Sequence, residues 1–157
     1  MLLDKRLNAL AAHVPAACRV ADIGCDHGKL ACALAARGCD VWAVDISPLC
    51  LDKTRARAAN RGLMLNLCHA DGLQPLPDDI DCIVIAGLGG ESITQILQQR
   101  PALVARAKLV LSPASRPDRL WDALEAMDLQ PERDSINYQS RTVPIFLCGG
   151  QYHADRT

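Results

Sequence analysis

Val20-Ala21-Asp22-Ile23-Gly24-Cys25-Asp26-His27-Gly28 is the stretch on which the fold of this chain turns. An apolar strand ends in an acid, turns on a glycine and runs into a helix-forming segment that starts near Lys29. The pattern Asp-x-Gly-x-x-x-Gly puts bare backbone at the C-terminal end of a strand, where open α/β sheets bind nucleotide ligands. The dinucleotide version, Gly-x-Gly-x-x-Gly, offers backbone N–H groups and a helix N-terminus to a pyrophosphate. Here Asp26 stands in the middle of the loop. A carboxylate there repels a pyrophosphate and suits a cation.

Outward from this loop, strand and helix alternate, which points to a parallel sheet covered on both faces. Leu3 to His13 has Leu3, Leu7, Leu10 and Ala11 spaced for one helical face. Arg19 to Ile23 is strand one and Lys29 to Arg37 a helix, with Gly38 as its C-terminal cap. Val41 to Asp45 is strand two. Ser47-Pro48 then supplies an N-cap and a proline at the first helical position, for a helix that runs to about Arg61. Met64 to Cys68 is strand three, and Gln74 to Asp79 a loop. Ile80 to Ala86 is a near-continuous apolar run of the kind found in central parallel strands. Gly87-Leu88-Gly89-Gly90 turns into a helix from Glu91 to Gln99. Lys108 to Leu111 is strand five. Ser115 is expected to cap the next helix, with Asp118 three residues on; Leu120, Trp121, Leu124 and Met127 form its buried face. Residues 130–138 and 142–148 make a closing hairpin, in which Pro144 is awkward because it cannot donate to a ladder. Residues 149–157 are a polar tail, expected to be disordered.

Length and composition bound the function. At 157 residues the chain has the size of one domain. A formal charge of -1 gives no global electrostatic case for nucleic acid, so any such contact needs a local basic patch. No apolar run spans a bilayer, and Asp4 interrupts the leucines of an N-terminus that lacks a signal-peptide layout. The expected location is cytoplasmic. None of the eight cysteines sits in a Cys-x-x-Cys pair. Cys18, Cys25, Cys32 and Cys39 recur every seven residues but cross a strand, a loop and a helix, so the period puts them on no common face. They read as small buried hydrophobes in a reducing compartment, and no metal site is expected.

The candidate site follows from the strand ends. S-adenosylmethionine (AdoMet) is cationic and carries no phosphate, so the loop reads as an AdoMet site ahead of an NAD site. Gly24 and Cys25 bring backbone to the cofactor, and Asp22 and Asp26 can hold its ammonium. His27 can meet the methionine carboxylate or face the methyl group; alternatively, Asp26 and His27 cap the following helix. Asp45, with Ile46 beside it, ends strand two 21 residues after Gly24, the position of an acid that hydrogen-bonds ribose. Asp71-Gly72 suits the adenine edge, or is an ordinary turn. Gly87, Leu88, Gly89 and Gly90 leave bare backbone on which a flat base could lie. Ser112-Pro113 is a weaker candidate at the same rim. Lys53, Arg57 and Arg61 fall at i, i+4 and i+8, a stripe that is a solvated face or a nucleic-acid contact. Aromatic residues are 3% of the chain, so stacking platforms are scarce, and Trp42 and Trp121 read as core.

On these residues the chain resembles the bacterial tRNA adenine-N1 methyltransferases of the TrmK type. The matching pieces are Lys5-Arg6-Leu7, Asp22-Ile23-Gly24 with Asp26-His27, Asp71-Gly72-Leu73, and Ile83-Val84-Ile85-Ala86-Gly87-Leu88-Gly89-Gly90. Leu109-Val110-Leu111-Ser112-Pro113 corresponds to the family's Leu-Gln-Pro strand end, with Ser112 in place of glutamine, and Val143-Pro144 stands where the family has Tyr-Glu. The likeness covers about residues 3 to 148.

It implies a class I, Rossmann-like AdoMet-dependent methyltransferase: an α/β fold with a mostly parallel seven-stranded sheet, helices on both faces and an antiparallel last strand, over residues 1–148. It further implies AdoMet as cofactor, S-adenosylhomocysteine as product, and methylation of adenine N1 in tRNA at position 22. Asp26 and His27 are then the catalytic candidates, and Arg6, Leu88, Gly89, Gly90, Ser112, Pro113, Arg57 and Arg61 the substrate contacts. The family carries a coiled-coil-like C-terminal extension that is not found here, so a homodimer or partner protein is expected to stand in for it. Methylation of a small molecule or protein, or AdoMet binding without catalysis, are the alternatives; an NAD-dependent dehydrogenase is a distant fourth.

Overall fold

The computed structural model describes residues 3–149. The elements follow in the order α1 (Lys5–Ala12), β1 (Arg19–Ile23), α2 (Lys29–Ala36), β2 (Asp40–Asp45), α3 (Pro48–Asn60), β3 (Asn66–His69), β4 (Cys82–Ala86), α4 (Gly90–Leu97), α5 (Pro101–Arg106), β5 (Lys108–Ser112), α6 (Pro117–Ala126), β6 (Glu132–Tyr138) and β7 (Arg141–Cys148). They form one seven-stranded sheet in the order β3-β2-β1-β4-β5-β7-β6. The first five strands pair in parallel, and β7 runs antiparallel to both β5 and β6. The strand order reverses direction between β1 and β4. In such sheets the crevice at that switch point holds the ligand, and here the loops after β1 and β4 flank it.

Alternation along the central strands builds two cores. Ala21, Ile23, Ile83, Ile85, Leu109 and Leu111 face one way, against Ile93, Leu97, Val104, Leu120 and Leu124 of α4, α5 and α6. Val20, Val84 and Val110 face the other way, against Leu10, Leu30, Leu34 and Leu51 of α1, α2 and α3. Both faces are therefore covered, as parallel strands require.

The local starts explain the helices. Asp4 caps α1 by accepting from Leu7 N at 2.8 Å, and Ser47 caps α3 by accepting from Cys50 N at 3.2 Å ahead of Pro48. At α6 the expected cap is displaced. Arg116, with φ +50°, is the cap residue, no side chain caps the helix, and Ser115 instead bridges to Gly89. Asp118 pairs with Arg116 rather than closing a capping box. Other boundaries shift as well. Strand three begins at Asn66, where pairing with Trp42 starts, leaving Met64 90% exposed outside it, and strand four begins at Cys82. The short helix α5 lies where no element was expected; it is too brief to show a periodicity.

Pro144 sits within β7 opposite Ser135, and its carbonyl accepts from Ser112 Oγ at 2.9 Å. Trp42 and Trp121 are half-buried. Arg19 lies over the Trp42 ring at 6.0 Å, and Trp121 packs edge-on against Phe146 at 5.1 Å. All eight cysteines are free thiols, six of them buried. Of the polar tail expected from residue 149, all but the first residue lies outside the described residues. Among the described residues, no helix is long and apolar enough to cross a membrane.

Candidate functional site

The loop after β1 is built mostly by its neighbours. Gly24 N and Cys25 N both donate to Val44 O, at 2.8 and 3.0 Å, which ties the loop to β2. Asp26 takes a left-handed backbone, φ +53°, which aspartate tolerates better than most residues. Three groups hold it there. Its N–H donates to Asp45 Oδ2 at 3.0 Å, its carbonyl accepts from Thr54 Oγ1 at 3.0 Å, and Cys50 Sγ lies 3.8 Å from its Oδ1. The next carbonyl, that of His27, accepts from Arg57 Nε at 3.0 Å. Gly28 then turns with φ +82° so close to Thr54 that any Cβ would overlap that side chain. Helix α3 thus clamps the loop. Gly28, not Asp26 or His27, is the N-cap of α2, and no side chain caps that helix. The capping alternative for these two residues therefore falls away.

The strand-end loops and α1 enclose a cavity of about 830 Å³, a size typical of small-molecule sites. Asp22, Gly24, Cys25, Asp26, His27, Asp45, Ile46, Asp71, Gly72, Gly87, Leu88 and Arg6 all line it. Its charge is lopsided: Asp4, Asp22, Asp26, Asp45 and Asp71 against Arg6 and Lys29. Asp22 is the extreme member. It is 5% exposed, and its carboxyl makes no hydrogen bond within the described residues. Burial, reinforced by Asp45 and Asp26 and opposed by Arg6, pushes its pKa up to about 7. Buried polar groups in folded proteins almost always have a partner. Asp22, buried on the cavity wall without one, departs from that rule.

Asp45 does two jobs. Its Oδ1 accepts from Ser47 N at 2.9 Å and its Oδ2 from Asp26 N, so the turn-forming role and a place on the cavity wall coexist. Asp71-Gly72-Leu73 is held by a residue that the sequence did not single out. Gln99 accepts from Leu73 N through Oε1 at 2.7 Å and donates Nε2 to Asp71 O at 2.9 Å. Gly72, at φ +119°, lies against this amide, and a Cβ there would overlap it. Ser92 and Gln95 of α4, and Gln99 just beyond its end, give the cavity a polar edge.

Other expected contacts lie elsewhere. Ser112 and Pro113 are buried and do not line the cavity, because Ser112 Oγ is spent on Pro144 O. Gly89 and Gly90 are also absent from the lining. Gly90 N donates to Ser115 O at 2.7 Å, and a Cβ on Gly90 would run into the Arg116 carbonyl. Gly89 and Gly90 serve the close approach of the α4 and α6 starts, and Ser112 the β5–β7 seam. Arg57 and Arg61 line a separate groove of about 430 Å³, with His27, Lys53, Ala56 and Asn60. His27 borders both hollows; its Nε2 is 3.6 Å from Asp26 Oδ1. The expectation of no metal site rested on cysteine spacing alone. The fold brings Asp26, His27 and Cys50 together with ligand atoms within 4.8 Å of one another.

A sheet of this order, with an acid-lined cavity at its switch point, defines a Rossmann-like methyltransferase fold. The chain belongs to the methyltransferase-domain family, whose model matches residues 3–143. It is similar to the tRNA (adenine(22)-N(1))-methyltransferase of Bacillus subtilis, at 30% identity over 117 residues, covering 71% of this chain and 49% of that protein. The chain thus spans about half the length of this curated relative. A Streptococcus agalactiae protein of the NADB-Rossmann superfamily matches with a TM-score of 0.86 at 29% identity, over 94% of this chain and 69% of that one. M. capricolum TrmK, solved with S-adenosyl-homocysteine, shares the fold with a TM-score of 0.77 at 21% identity, over 94% of this chain and 69% of that one.

Proposed function

We propose that this chain binds AdoMet in the acid-lined cavity and methylates N1 of an adenine in tRNA. The observation that carries the cofactor assignment is the buried, unpartnered carboxyl of Asp22, supported by the excess of carboxylates around it. The B. subtilis relative and the bound product in M. capricolum TrmK favour the same cofactor and direct the substrate toward tRNA. A tRNA substrate puts the work in the cytoplasm.

The residues fit the cofactor by their chemistry. Asp22 and Asp26 would hold the ammonium, Asp45 the ribose hydroxyls, and the Asp71-Gly72 backbone the adenine edge. AdoMet supplies an electrophilic methyl group, which the N1 lone pair of adenine takes up, leaving S-adenosylhomocysteine. The protein's own task is alignment, because neutral adenine needs no prior deprotonation at N1. N1 lies on the pairing edge, so a paired base must first be exposed. The methylated base gains positive charge. Asp26, exposed beside His27, would stabilise that charge. Leu88 and Arg6, which both line the cavity, would border the base and its phosphate.

The test is methyl transfer from labelled AdoMet to total unmodified bacterial tRNA, with the product nucleosides identified. N1-methyladenosine is the expected product. Cofactor binding without methylation of any RNA would instead favour a small-molecule substrate. Calorimetry should show binding of AdoMet and none of NAD; tight NAD binding would overturn the cofactor assignment.

A further inference from the structure

The groove on α3 is not used by the cofactor, and its chemistry is the reverse of the cavity's. Its lining is His27, Lys53, Ala56, Arg57, Asn60 and Arg61, without a carboxylate. The single acid of α3, Asp52, is not in the lining and pairs with Arg55 at 2.9 Å. Lys53 and Arg61 make no ion pair within the described residues. Arg57 anchors the wall through the His27 carbonyl. Ala56, small and exposed, lies between the cations and leaves the floor open. At 1.5 Å per residue the stripe from Lys53 to Arg61 is about 12 Å long. The local charge stands against a chain whose overall balance is -1.

We propose that this groove is a phosphate track: it holds the sugar-phosphate backbone of the RNA strand whose base enters the cavity past His27. The inference rests on the reading of the chain as an RNA methyltransferase. Two observations support it. The groove has the charge of a polyanion site and no acid in its own lining, Asp26 standing only beside its His27 end, and it adjoins the cavity through that one shared side chain. A strand lying along Lys53 and Arg61 would bring its nucleotides to within one residue of the acid-lined cavity. Asn60 adds a neutral donor for phosphate or ribose oxygens.

The experiment uses Lys53→Glu/Arg61→Glu, with Lys53→Gln/Arg61→Gln as the milder control, and leaves Arg57 untouched because it holds the His27 loop. For each protein, AdoMet affinity is measured by calorimetry, and binding of fluorescein-labelled tRNA by anisotropy at several salt concentrations. KM and kcat for tRNA are also measured. The reversal should raise the tRNA dissociation constant and KM at least tenfold at low salt, with kcat and AdoMet affinity unchanged. In the glutamine variant, the slope of log affinity against log salt should shrink by roughly 1.5, the share of two phosphate contacts. Unchanged tRNA affinity and salt slope in both variants would overturn the groove while leaving the methyltransferase reading intact. tRNA binding that weakens as expected, in a protein that methylates no RNA, would support the groove and overturn the assigned reaction. Failure of the wild-type chain to bind tRNA at any salt would overturn the groove.

Discussion

The two hollows that meet at His27 differ in sign and in depth. On the sheet side, carboxylates crowd a cavity whose most buried acid, Asp22, has no hydrogen-bond partner among the described residues. On the α3 side, cations line a shallow groove without a carboxylate. Depth and sign go together for a physical reason. A small cationic cofactor can be enclosed, and enclosure strengthens each charge contact as the local dielectric falls. A polyanionic strand cannot be enclosed by so small a protein, and it needs only a surface of mobile cations. The contrast also separates energy from rate: the cavity should govern cofactor affinity, and the groove encounter with substrate and its sensitivity to salt.

The largest effect should come from Asp22. Removing one member of a buried charge pair typically costs about 3–5 kcal/mol. Asp22→Asn should therefore weaken AdoMet binding by roughly that amount. The free protein should melt at the same temperature or higher, since the variant no longer buries an ionisable group. Calorimetry and thermal melts check the two halves separately. AdoMet affinity within twofold of wild type would remove the basis of the contrast.

The same carboxyl gives a pH signature. The unfolded chain releases this proton near its ordinary value of 3.8, and the folded chain near 7. Between those values the folded state holds more protons than the unfolded one. Its stability from this group is therefore complete below 3.8 and is lost as pH rises toward 7. Urea titrations at pH 5 and pH 7 should show a fall that Asp22→Asn lacks. A cationic ligand favours the ionised form, so AdoMet binding at pH 6 should release a proton. Calorimetry in two buffers of different ionisation enthalpy measures it; equal heats in both would mean that Asp22 does not titrate on binding.

Asp45 ranks next. Asp45→Ala should cost about 1–3 kcal/mol of AdoMet affinity, the range for hydrogen bonds to a charged group. Part of that loss should come from the loop, because the Asp26 and Ser47 N–H groups lose their acceptor. Asp45→Asn keeps an oxygen for one of them and should recover part of the affinity. Equal losses in both variants would show that charge, and not the loop bond, is what matters there.

What was legible in the sequence was whatever rests on local rules. Strand periodicity, the Ser47-Pro48 start and the strand-end acids all depend on residues close in the chain; the antiparallel close of the seven-stranded sheet came with the family resemblance. What was hidden depends on contacts between distant residues. Thr54 and Arg57 clamp the Asp26-His27 loop from 28 and 30 residues away. Gln99 grips the Asp71–Leu73 turn across 26 residues, and no short motif announces such a bond. The glycines at 89 and 90 were visible, but their purpose was not: only the fold brings Ser115 and Arg116 against them. The family resemblance located Ser112 and Pro113 at the end of β5, yet could not tell that β7 takes up the Ser112 hydroxyl. Gln99→Leu is the corresponding test. It should weaken AdoMet binding by about 1 kcal/mol through the loosened turn, and Gly72→Ala, which displaces the same amide, should match it in direction.

The smallest effect, and the cleanest check on the boundary of the site, is at Ser112. Its hydroxyl joins β5 to β7 through Pro144 O in a buried seam, outside both hollows. Ser112→Ala deletes one neutral hydrogen bond and leaves a carbonyl without that donor, a loss of about 1 kcal/mol in stability. AdoMet affinity, tRNA affinity and the salt slope should all stay at wild-type values, because neither hollow touches this side chain. Denaturant titration measures the first quantity, and the binding assays the others. If stability is unchanged while methylation of tRNA falls, Ser112 reaches the substrate after all. The rim of the cavity would then extend past β4 to the end of β5, and the acid-lined hollow would be only part of the working site.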